Sequence, residues 1–111
     1  MAETETVDTD QAPKKGARKP DPMTRAITDM KQAAKHLGEY DVKATPKGRI
    51  NLHDQRAAAW GREYSEKGTF DALLLSLAFE ALGSYEQEQR YALLQLSAVA
   101  LNQAVALDGR Q

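Results

Sequence analysis

Residues 69–107 hold 24 apolar side chains in 39 positions, and their spacing limits what the chain can fold into. Thr69 and Gly83 bracket one helix. Ser84 opens another, with Gln87 three positions on in capping-box register. In the first helix Phe70, Leu73, Leu74, Leu77 and Ala81 share a face, while Leu75, Phe79 and Leu82 occupy the other. In the second, Tyr91, Leu94, Ala98, Leu101 and Val105 recur at steps of three and four. A second stripe of Leu93, Leu96, Ala100, Ala104 and Leu107 lies on the opposite side. The joint is so short that the two helices must form an antiparallel hairpin.

A helix that is apolar on two sides is either central to a large core or buried between subunits. About ninety folded residues cannot surround two such helices, and each leucine left in water forgoes roughly 1.5–3 kcal/mol. The hairpin 69–108 is therefore expected to be both the core and a self-association surface. The residues expected to carry that contact are Leu73, Leu74 and Leu77 on the first helix and Leu93, Leu94, Leu96, Leu101 and Val105 on the second. A bilayer span does not fit. The 17 uncharged positions 91–107 rise only about 26 Å, they include Gln95, Ser97, Asn102 and Gln103, and no basic flank orients them.

Two further helices are expected upstream. Asp21-Pro22 is an N-cap followed by a residue pre-organised for the first helical position. Met23, Ile27, Met30, Ala34 and Leu37 then follow at helical steps up to Gly38. The next helix is expected over 53–67, with His53, Ala57, Trp60 and Tyr64 forming an aromatic core face around a hydrogen-bonded histidine. Gly61 there would permit close packing. Between Tyr40 and Leu52 the alternation of Val42, Ala44, Ile50 and Leu52 around Pro46-Lys47-Gly48 fits either a short β-hairpin or an irregular loop. The fold class is all-α: a small four-helix domain over 21–108 with a Leu/Ala-rich C-terminal hairpin. Residues 1–20 precede it as a disordered charged tail, since they lack the large apolar side chains needed to offset the entropy of ordering.

The formal charge of −1 conceals an asymmetry. Residues 1–13 carry four acids and no base, and residues 14–19 carry four bases and no acid. Residues 20–68 hold nine bases against seven acids, and residues 69–111 two against five. Lys14, Lys15, Arg18 and Lys19, with Lys43, Lys47, Arg49 and Arg56, are the candidate contacts for nucleic-acid phosphates. The acids interleaved among the bases favour a solvated mixed-charge surface instead.

Chemistry is scarce. Without cysteine the chain has no disulfide, thiolate metal site or cysteine nucleophile. His36 and His53 sit on different elements in no paired motif, the serines lie in no nucleophile elbow, and the glycines form no phosphate-binding loop. Glu63 and Glu66 could share a helix face, but no acidic pair downstream would complete a magnesium site. No cofactor is expected.

The expected function is that of a small non-enzymatic, homo-oligomeric interaction or assembly protein that binds itself or a further protein. The alternative is a dimeric nucleic-acid-binding regulator using the basic arm and residues 43–56, and a third reading is an enzyme whose site forms across subunits. No apolar run near the start suggests a secretory signal, which points to the cytoplasm. Alanine at 18 positions against two isoleucines and two asparagines suits a GC-rich bacterial or phage genome.

Overall fold

The computed structural model describes residues 21–110. They form four α-helices, with no strand among the described residues: α1 (Pro22–Leu37), α2 (Lys47–Lys67), α3 (Phe70–Leu82) and α4 (Glu86–Asp108). The domain is all-α. The charged leader 1–20 lies outside the described residues.

α1 begins as its sequence dictates. Asp21 is extended, its carboxylate accepts from the Thr24 amide at 3.0 Å and from the Thr24 hydroxyl at 2.7 Å, and Pro22 opens the first turn. Gly38, at φ 67°, ends it. The apolar stripe is only partly used. Ala26 is buried and Met23 and Ile27 half-buried, but every residue from Thr28 to Asp41 is exposed.

α2 starts six residues earlier than its sequence suggests, so residues 47–52 form neither a hairpin nor a loop. Ile50, His53, Ala57 and Trp60 are spaced three, four and three, and these are the positions that lose solvent. The helical period outweighs the local alternation, and Pro46 serves as the boundary. Two details of this helix also differ from expectation. Gly61 faces open space rather than a close neighbour, and the buried Nδ1 of His53 has no hydrogen-bond partner. The His53 ring instead stacks on Phe79, with centroids 5.8 Å apart and planes 25° apart. Gly68, in the left-handed region at φ 65°, ends α2.

Thr69 leads into α3 as expected. At the other end, Tyr85 rather than Ser84 is the N-cap of α4. The capping box does not form, because the Ser84 hydroxyl turns back to donate to the Glu80 carbonyl at 2.6 Å and so closes α3 instead. The same corner is tied by the Gln89 amide, which donates to the Ala81 carbonyl at 3.0 Å.

The helices pack in the order α2–α3–α4–α1. Among the described residues α2 touches only α3 and α1 touches only α4, and the α2–α3 contact is the most extensive. The two neighbours of α3 flank it on opposite sides. Phe79 meets α2 through His53, the Ala81 carbonyl accepts from Gln89 of α4, and the two buried alanines of α3, Ala72 and Ala81, lie about 180° apart around its axis. The arrangement is a row of helices, one layer deep. Its buried residues are Ala26, Ile50, Ala72, Ala81 and Ala92, and no large side chain among the described residues is fully buried.

Candidate association surface

Among the described residues, a row one helix deep leaves two broad faces uncovered, and α4 shows most clearly where they are. Gln89, Ala92, Leu96, Val99 and Gln103, at steps of three and four, have reduced exposure and form the strip against α3. Ser97, Leu101, Ala104 and Asp108 lie on the side of α1, where they help line an apolar groove of about 440 Å³ with Ala26 and Met30. Two arcs remain exposed: one carries Tyr91, Leu94 and Ala98, of which Tyr91 is 65% and Leu94 51% exposed, and the other carries Leu93 and Leu107, each 47% exposed.

The eight residues expected to make the contact are therefore divided. Leu93 (47% exposed) and Leu94 face solvent. Leu96 is taken up by the strip against α3, and Leu101 borders the α1 groove. Val105 and, on α3, Leu73, Leu74 and Leu77 are half-buried. Sequence periodicity identified Tyr91, Leu94 and Ala98 as part of one seam, and the structure keeps them on one exposed face. Leu37, Tyr40, Val42 and Tyr85 are also largely exposed. Tyr40, Val42 and Tyr85 lie outside the helices, where helical periodicity gives no signal, whereas Leu37 closes the α1 stripe expected to pack and is left exposed.

The basic residues are dispersed. Lys43 and Lys47 border a groove of about 510 Å³ between the α1–α2 linker and the α3–α4 corner, and Glu86 of α4 contributes a carboxylate to the same lining. Arg49 is exposed on the first turn of α2. The Arg56 guanidinium lies 5.8 Å from the Phe79 ring centroid, a cation–π contact within the α2–α3 interface. Lys14, Lys15, Arg18 and Lys19 lie outside the described residues.

Glu63, half of the i, i+3 acidic pair, is engaged by Lys67 at 3.3 Å. Among the described residues no group of three or more histidines or carboxylates is placed to hold a metal ion. No described helix is long and apolar enough to cross a membrane. Two carboxylates are held below their ordinary range by local hydrogen bonds: Asp21 by the Thr24 amide and hydroxyl, and Asp71 by the Thr69 hydroxyl. Both are N-terminal helix devices rather than reactive groups.

The sequence matches no protein-family model, and no curated protein or solved structure is significantly similar to it.

Proposed function

We propose that this chain is a small, non-enzymatic, cytoplasmic assembly protein that works as a homo-oligomer, burying the open face of its C-terminal hairpin against another copy. The supporting observation is that, among the described residues, the helices form a single-layer row and no large side chain is fully buried. Stable domains are built from at least two packed layers around one core, and a second copy supplies the missing layer. Exposed apolar side chains from Tyr91 to Ala98 on α4 give the contact a continuous surface of the kind that marks interfaces.

Sedimentation velocity across a dilution series tests the proposal. A boundary that moves from oligomer toward monomer as the protein is diluted supports it. A single monomer boundary at all micromolar concentrations refutes it.

A further inference from the structure

The linker between α1 and α2 is extended, exposed and complementary to itself. We infer that its residues 39–45 pair with the same segment of a second copy as a short antiparallel ribbon centred on Val42. The inference rests on the self-association proposed above and adds a second contact to it, since a two-stranded ribbon this short does not hold two chains together alone.

The fold keeps this segment straight. α1 and α2 stand at opposite ends of the row, so the linker reaches past α3 and α4. Three interaxial steps of about 8–10 Å use most of the roughly 33–36 Å that ten residue steps span. Accordingly the chain shows neither turn nor bend from Gly38 to Pro46. Among the described residues, the backbone from Glu39 to Thr45 makes no backbone–backbone hydrogen bond. An extended stretch with its N–H and C=O groups unpaired is a template for another strand. It is also accessible. Tyr40 is 67% and Val42 77% exposed, and only Thr45 of the seven residues is half-buried. Val42 and Ala44 border the groove at the α3–α4 corner without being covered by it.

The residue pattern names the partner and the register. Tyr40, Val42 and Ala44 alternate with Glu39, Asp41 and Lys43, so an extended chain carries the apolar three on one face. Reversed about Val42, Tyr40 lies opposite the partner's Ala44, Val42 opposite the partner's Val42, and Asp41 opposite the partner's Lys43. The two-fold axis repeats the charge pair on the other side of Val42. Directly opposed residues of unlike charge stabilise a pair of strands, and like charges destabilise it. Centring the ribbon on Asp41 sets two carboxylates opposite each other, and centring it on Lys43 sets two ammonium groups opposite each other. An intermediate register places apolar side chains against charged ones. Only the register centred on Val42 matches both patterns, and the strand that supplies the match is this segment itself.

The absence of native cysteine makes the test direct. Val42 and Glu39 are both exposed, and each is replaced by cysteine in the otherwise unchanged full chain, with the mass measured before and after mild oxidation. In the ribbon the two Val42→Cys residues are directly opposite, with Cα atoms about 4.5–5.5 Å apart, within disulfide reach. Two Glu39→Cys residues are about 20 Å apart along the strands. The expected result is a disulfide-linked dimer for Val42→Cys and none for Glu39→Cys. Linkage at both positions, or at Glu39→Cys alone, overturns the register. A dimeric mass before oxidation with no linkage at Val42→Cys overturns this inference and leaves the hairpin contact standing. A monomeric mass overturns both.

Two further readouts do not depend on oxidation. Asp41→Lys is expected to weaken the dimer about fivefold, because the charge pair is lost twice across the two-fold axis. Adding Lys43→Asp is expected to restore most of that affinity, and failure to restore it contradicts the proposed register. Hydrogen exchange follows the backbone itself. At concentrations where the dimer forms, the amides of residues 40–44 are expected to become protected on alternate residues and to lose that protection on dilution. Fast exchange of all five amides in the dimer overturns the ribbon.

Discussion

Gly83 sits against the backbone of Asp54: a Cβ at position 83 would lie 2.8 Å from the Asp54 amide nitrogen and 2.9 Å from its Cα. The end of α3 thus meets the middle of α2 at a point where only a hydrogen fits. The φ of Gly83 is −93°, open to any residue, so the requirement comes from packing rather than from backbone conformation.

Gly83→Ala is accordingly expected to destabilise the fold by about 1–3 kcal/mol, because backbone atoms cannot yield as a flexible side chain would. Gly61→Ala provides the contrast. It lies within α2 with open space around the position and is expected to stabilise by about 0.5–1 kcal/mol. Urea denaturation of both variants checks the pair. A Gly83→Ala variant as stable as the parent would contradict the α2–α3 contact.

Removal of the Asp21 cap is expected to loosen α1, which among the described residues touches only α4. In Asp21→Ala the amides of the first turn should exchange with solvent faster, while those of α3 keep their protection. Acid acts on the same bond. The folded carboxyl is held below its ordinary value by Thr24, so its contribution is present above the unfolded value of about 3.9. It is lost as pH falls through the lower folded value. Hydrogen exchange of residues 23–26 between pH 5 and pH 2.5 reads this out, after correction for intrinsic rates.

Leu94→Glu places a charge on the exposed seam without disturbing the strip against α3. The expected product is a helical monomer, seen as an unchanged far-ultraviolet dichroism spectrum and halved mass. Ala92→Glu, at a position 1% exposed against α3, is expected to unfold the hairpin instead. The two outcomes separate an interface from a core on opposite sides of one helix.

The dispersed basic residues lead to a negative expectation. Arg56 is drawn onto Phe79, and Lys43 and Lys47 share their groove with Glu86. The full chain is therefore expected to pass through a heparin column at physiological salt. Retention that collapses with modest added salt, and that disappears when residues 1–20 are removed, would favour the nucleic-acid reading over a purely protein-binding one.

The parts of the fold legible in the sequence are those specified by local chemistry. Asp21, Pro22 and Gly38 bound α1 because capping and backbone freedom act over a few residues. The bounds of α3 follow for the same reason. The first two turns of α2 were obscured because Pro46 and Gly48 look like a turn, while Ile50 and Leu52 alternate like a strand. Ser84 looked like the cap of α4 because a hydroxyl beside a helix start serves either neighbour, and here it serves α3. The order of the helices could not be read at all. It depends on which face meets which, and in helices apolar on several sides the pattern leaves that open. The division of the α4 stripes among α3, α1 and solvent follows from that order, and so does the exposure of Tyr91 and Leu94.

The claim that most needs testing is that a one-layer row of helices finds its second layer in another copy of itself. Light scattering on the purified full chain, from about 100 μM down to about 1 μM, tests it most directly. The account predicts a mass at least twice the 12.2 kDa of one chain at the upper concentrations, falling on dilution or on substitution of Leu94 by glutamate. A well-folded protein of 12.2 kDa throughout that range would contradict it.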